Sequence, residues 1–496
     1  MGSFRDAAGL EYTAAEQQAV DKFTALVSGY LGFTRDVGDR LKDVLDVDPD
    51  MPMAVIVKGY FFLLFANGPM AVRAGKALKQ VEEIAEKQPL NDRERGHLKA
   101  LSCWCIGDHR GMTAAWEEIL IHYPRDLLAL RFAHFQHFYN GDSRQMRDSI
   151  ARVLPSLDSY TRDYSFVQGM YCFALEEAGE YDRAEPFGRA AVEANPTDAW
   201  AVHAVAHVME MQGRHRDGVA WVAGLSDSWG KAHNFRYHLH WHQALFHLEM
   251  QEFDTVLALY DQHICRDLEM DQYLDLCNAA SLLWRLELYG VDVGKRWLPV
   301  AQIAAKHIED HELIFVQLHC QMALLAAERG AEAERLASHL KAHGERKYLQ
   351  AEAAATVGVP LVEAMAAQRR GDYDGVVERL WPIRYQLPLI GGSHAQRDLF
   401  EQILVWSAIR SKYHNLARNL LAERTAAKPN NAWGWKIYAA ALNRAGDRTG
   451  AKRATGEAEK IITAYIGFDC TAPSLHPRIS CPRQPGEPWN ASSSPA

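Results

Sequence analysis

Residues 166–196 read FVQGMYCFALEEAGEYDRAEPFGRAAVEANP, and the fold is decided there. Gly169, Ala174, Gly179, Tyr181, Ala184 and Pro196 fall where a tetratricopeptide-like helix pair keeps its small, turning and closing residues. Glycine lets the first helix turn into the second, and proline closes the unit. Working outward, Gly107-Asp-His-Arg and Gly141-Asp-Ser-Arg lie 34 residues apart, as do Gly179 and Gly213. Pro124 follows Gly107 by 17 residues, and Pro196 follows Gly179 by the same 17. Weaker copies surround Phe253, Tyr373, Tyr413 and Gly446. One helix pair cannot bury its apolar face, so neighbouring pairs must stack. The expectation is an all-α, tetratricopeptide-like α-solenoid of antiparallel helix pairs.

Helical periodicity extends to both sides of this unit. Thr13-Ala-Ala-Glu16 has the form of a capping box, and Val20, Phe23, Val27 and Leu31 then share one helix face. No stretch alternates like a strand between hairpin turns, so almost no sheet is expected. Between Gly213 and Tyr373 the 34-residue ruler fails and long helices such as Tyr273–Leu288 take its place. Divergent pairs there could close the superhelix around a central pocket. Residues 1–34 are expected to form an N-terminal capping helix, 35–469 the repeat domain, and 470–496 a disordered tail with six prolines. Asn490-Ala-Ser492 in that tail is only a formal glycosylation acceptor.

Composition narrows the function classes. The 496 residues are 48% hydrophobic and 24% charged, which excludes a wholly disordered chain and fits either two or three domains or one repeat array. Net charge is −9 and no basic stripe occurs, so neither nucleic acid nor an anionic membrane is an expected partner. The eight cysteines form no CxxC pair, which argues for reduced, packed thiols, Cys172, Cys277 and Cys320 among them. Met1 to Asp6 leads into no apolar core, and Asp6 stands where a myristoylation signal needs Ser or Thr. The densest apolar run, residues 59–66, is too short to span a bilayer, so a cytoplasmic location is expected.

Histidine is concentrated in one place. Eight of 22 (203, 207, 215, 233, 238, 240, 242 and 247) fall within 45 residues. His203 and His207 lie one helical turn apart, Glu210 extends their face, and His238 and His242 repeat the arrangement 35 residues later. Residues one repeat apart occupy equivalent positions on successive stacked helices, so four imidazoles are expected to converge on the concave surface. His240 and His247 fall on another face. Four neutral imidazoles could hold a divalent metal, with zinc first and iron, nickel or copper as alternatives. Glu210 could then be a ligand, an outer carboxylate or a base. Residue 204 is Ala, so this is not an HExxH site. The alternative is a set of groove histidines that packs, or binds a peptide or polar small molecule, without metal.

Further polar residues could enlarge such a pocket. His311 and His319 are eight residues apart and share a helix face beside Asp310, itself a candidate cap. Gly391-Gly-Ser-His-Ala-Gln-Arg-Asp398 reads as a helix N-terminus able to receive an anion or simply to cap. Arg397 could pair there with a carboxylate or with Asp398. The spacing is neither a Walker A nor a dinucleotide fingerprint.

Asp198-Ala-Trp-Ala-Val-His203-Ala-Val-Ala-His207, His238-Leu-His-Trp-His242-Gln-Ala-Leu, Gly294-Lys-Arg-Trp297, Pro382-Ile-Arg-Tyr385 and the 391–400 segment together resemble the tetratricopeptide repeat protein 38 family. The resemblance runs from about Arg35 to about Pro429 and implies a helical-repeat protein of poorly defined biochemical role. It supports His203, His207, His238, His242, Gln396, Arg397 and Asp398 as family-typical, while His240 and His394 depart from the pattern. Two functional expectations follow. One is a small molecule or peptide bound in a concave groove by His203, His207, His238, His242, His311, His319, Gln396 and Arg397. The other is a metal-dependent hydrolase or lyase in which the four histidines are ligands and Glu210, Arg397 and Asp398 are catalytic.

Overall fold

The computed structural model describes residues 2–466, so the expected tail, Cys470, Cys481 and Asn490 lie outside the described residues. The expected all-α helical-repeat fold is what forms, as antiparallel helix pairs in chain order. Among the described residues the only sheet is a hairpin, Gly2–Arg5 against Glu11–Ala14.

That hairpin corrects the reading of the N-terminus. Thr13 does not cap a helix; it lies in the second strand, where its N–H and hydroxyl both donate to the Glu94 carboxylate at 2.7 Å. The partner 81 residues away satisfies both groups of Thr13, and the helix Gln17–Leu31 starts from Glu16 without a side-chain cap. Val20, Phe23 and Leu31 are buried as their spacing predicts.

The turn glycines behave as the repeat requires. Gly107, Gly141, Gly179 and Gly213 have φ of 75°, 72°, 79° and 68°, a left-handed region that side chains with a Cβ seldom enter. Between Gly213 and Tyr373 the same turn persists with different residues. It falls at Gln251, Gly290 and Glu328, which all have positive φ. Those turns lie 38 or 39 residues apart, so the repeats there are longer and two of the three markers are not glycine.

The second half of the solenoid lies along the turns of the first. Asp310 accepts from Gly68 N at 3.0 Å, Tyr348 sits against Gly107, and the Pro388 carbonyl meets Gly141 so closely that a Cβ there would collide with it. The series continues with His394 N donating to Glu177 at 2.8 Å, Asn430 to the Gln212 carbonyl at 3.3 Å, and Lys436 to Gln251 at 3.5 Å. Successive turns thus meet successive later segments, and the second half packs against the first. The two larger bodies of the core share the helix Phe235–Glu249, with Leu239 and Phe246 in one and Trp241 and Leu245 in the other, and a small third body forms around Leu442. His238 and His242 sit on this seam. No helix among the described residues is long and apolar enough to cross a membrane.

Candidate metal centre

Two adjacent helices carry the histidine tetrad. Ala199–Met211 starts at Asp198, whose side chain caps Ala201 N at 3.0 Å, and it is buried on nearly every side. It presents His203 and His207 toward His238 and His242 of Phe235–Glu249. One ligand nitrogen from each ring can be chosen so that all lie within 4.8 Å of one another. His207 Nε2 is 2.9 Å from His203 Nε2, and His238 Nε2 is 3.2 Å from the same atom. Tetrahedral coordination with metal–nitrogen bonds of about 2.0–2.1 Å sets an edge of roughly 3.3 Å.

Outer partners orient the rings. His238 Nδ1–H donates to Asn278 Oδ1 at 2.8 Å, and His242 Nδ1–H donates to Glu210 Oε2 at 3.1 Å. With their protons held on Nδ1, these two rings turn Nε2 lone pairs inward. His207 Nδ1 faces Glu176 Oε2 at 3.7 Å, the same outward disposition. His203 Nε2 can donate to only one of its two close neighbours, and His242 Nε2 has no hydrogen-bond partner among the described residues. Lone pairs are left facing one another.

Protonation cannot relieve this crowding at neutral pH. Burial, reinforced by the neighbouring imidazoles, holds His203, His207 and His238 well below the ordinary histidine value. Burial and Arg285 push His242 down to about 3. All four rings are therefore neutral, the form that binds metal. Around them, burial raises Glu210 to about 7, and burial with neighbouring Glu177 raises Glu176 to about 7. Neither Glu176 oxygen has a hydrogen-bond partner among the described residues. His394 Nδ1 lies 3.8 Å from Glu176 and 3.9 Å from Glu177, and its side chain is 32% exposed. It is raised to about 8 by Glu177, against burial, with help from Glu176.

The remaining expected site residues divide. Arg397 donates to Glu177 at 3.2 Å and to the Gly392 carbonyl, so its carboxylate partner is Glu177 and not Asp398. Asp398 is clamped by Arg424 at 2.8 and 3.2 Å, by Lys428 at 3.2 Å and by Gln402 at 2.6 Å. Burial opposes its ionisation, but Arg424 and Lys428 outweigh burial and hold it far below the carboxylate range. This ion-paired setting suits an anchor between the late helices more than a proton carrier. Gln396 completes a capping box with Ser393, and its amide oxygen accepts from Ser393 N at 2.9 Å. His319 is buried and donates Nδ1–H to the Phe315 carbonyl at 2.7 Å, whereas His311 lies apart, against the rings of His343 and His339. Asp310 binds His307 at 2.7 Å and caps Gly68, so it joins the two halves of the solenoid rather than enlarging the tetrad.

The four histidines are between 0% and 4% exposed, so in this structure they do not stand open to solvent. His240, as expected, faces elsewhere. Glu176 and Glu177 were missed, although Glu176 precedes Glu210 by one 34-residue repeat and both stand three before a turn glycine.

No family model matches the chain. Among solved structures, the human IFIT1 dimer with m7Gppp-AAAA is 11% identical, with 90% of this chain and 96% of that chain covered at a TM-score of 0.39. Yeast Tom70 is 13% identical, with 84% and 94% covered at 0.34.

Proposed function

We propose that this chain is a metal-binding helical-repeat protein that holds one divalent transition metal, zinc first, on His203, His207, His238 and His242. The observation that carries the reading is the convergence of one ring nitrogen from each histidine within 4.8 Å, while the Nδ1 atoms of His238 and His242 are held by Asn278 and Glu210. Four neutral imidazoles satisfy zinc in number and type, and iron, nickel or copper remain chemical alternatives. The test is elemental analysis of untagged protein. One metal per chain is expected in the wild type and none in His203→Ala/His207→Ala, and metal-free wild-type protein that cannot be reloaded contradicts it.

A hydrolase or lyase is the second reading, favoured by the buried Glu176 carboxyl, which stands between His207 and His394 without a hydrogen bond. The metal would supply Lewis acidity only to a substrate or water that adds as a fifth ligand or displaces one imidazole. Glu176 would hold the proton and His394, partly exposed, would exchange it with solvent, while Arg397 keeps Glu177 in place. Activity that disappears in Glu176→Gln with metal retained supports this version. The small-molecule or peptide reading shifts accordingly, since a ligand reaching these histidines must enter the covered interior. Membership of the tetratricopeptide repeat protein 38 family, the 1–34, 35–469 and 470–496 divisions, a cytoplasmic location and the absence of nucleic-acid and membrane partners belong to the same proposal, on the sequence motifs and charge given above.

A further inference from the structure

A separate cavity of about 340 Å³ opens on the far side of the helix that carries His238 and His242. Arg35, Arg236 and Arg266 line it with one acid, Asp267. Asp267 is already engaged by Arg236 at 3.4 Å and by the Tyr237 hydroxyl. Three guanidinium groups against one carboxylate leave a local excess of +2 in a chain whose net charge is −9, so composition does not explain the basic hollow.

Its wall is built, not incidental. His240 and His263 line the cavity and stack with ring centres 3.8 Å apart and planes 7° from parallel. The Trp229 ring packs edge-to-face with His240, ring centres 4.9 Å apart, and holds that ring from another side. Arg35 is held by the carbonyls of Gly230 and Ala232 at 3.1 and 3.4 Å. Beside it, His233 N donates to the Phe33 carbonyl at 2.8 Å. That main-chain bond ties the N-terminal segment to the loop before Phe235–Glu249, so Arg35 is carried to the cavity mouth by the fold itself. Arg266 stands exposed at the rim, and its side chain makes no hydrogen bond among the described residues.

We infer that this cavity is a binding site for the phosphate group of a small phosphomonoester. Guanidinium forks match phosphate oxygens in pairs, and neutral imidazoles add N–H donors. The volume falls within the range of small-molecule sites and exceeds what a bare phosphate fills. The site is independent of the metal centre.

Calorimetric titration of the full chain with glycerol 3-phosphate, inorganic phosphate and a phosphoserine peptide tests this. Saturable 1:1 binding of glycerol 3-phosphate is expected, with weaker binding of inorganic phosphate. Arg266→Gln should weaken the ester about tenfold or more without moving the unfolding midpoint. His263→Gln is a second variant that should weaken it too if Arg266→Gln fails to fold. No saturable binding, or full affinity in the folded variants, overturns the site. Equal affinity for inorganic phosphate reassigns it to the free anion, and binding of the peptide alone reassigns it to a protein partner; either result overturns the ester.

Discussion

Two buried polar clusters share one solenoid and differ in whether they are complete. Around Asp126, the carboxylate accepts from Arg93 at 2.9 Å, from His97 at 3.0 Å and from Ala129 N at 2.9 Å. Burial opposes the charge of Asp126, but His97 and Arg93 outweigh it and hold the group far below the carboxylate range. Around His203 there are four imidazoles, their acids stand outside the ring of Nε2 atoms, and nothing within carries positive charge. A cluster that answers its own charges is architecture. One that leaves ring nitrogens converging in a buried interior supports the metal site proposed above.

The sharpest break between the two should come from removing ligands. His203→Ala/His207→Ala is expected to lower bound metal from one per chain to none, and a chelator should then no longer shift the unfolding midpoint. In the wild type, metal at about a thousand times its dissociation constant adds about 4 kcal/mol of stability. Asp126→Ala should do the reverse. It leaves Arg93 and His97 buried without their anion, costing about 3–5 kcal/mol in urea unfolding, while metal content stays at one per chain.

Two subtler changes leave every proposed ligand in place. Asn278→Ala keeps all four ligands but frees His238 Nδ1–H, and metal affinity in competition with a chromophoric chelator should fall about 10–100-fold. The smallest effect concerns pH. The folded value of His394 is raised to about 8, so its interaction with Glu177 and Glu176 is fully present below the unfolded value of about 6.5 and is lost as pH rises through 8. Stability of the metal-free chain should decline across that window, and His394→Gln should flatten the decline in urea titrations at pH 6 to 9.

What the sequence made legible follows the reach of its periodicity. His203, His207, His238 and His242 were found because a helical turn and a repeat length are local rulers, and the structure brings those four together. Glu176 obeyed the same ruler, one repeat before Glu210, and could have been found. Asn278 lies 40 residues beyond His238, where the lengthened repeats no longer keep the 34-residue period. Glu177 meets Arg397 across 220 residues, a contact made by the second half lying on the first, which no local pattern encodes. Thr13 failed for a related reason, since a distant Glu94 took the hydrogen bonds that its neighbours would have offered. The partners of Asp398, Arg424 and Lys428, lie 26 and 30 residues further on, beyond the reach of the helical period that brought Asp398 into view.

The most direct measurement is anomalous diffraction from crystals of the untagged chain loaded with zinc, recorded on both sides of the metal's absorption edge. One strong peak is expected about 2.0–2.1 Å from one ring nitrogen each of His203, His207, His238 and His242. A loaded crystal with no peak there, or with its peak among Glu176, Glu177 and the outer nitrogen of His207, would contradict it.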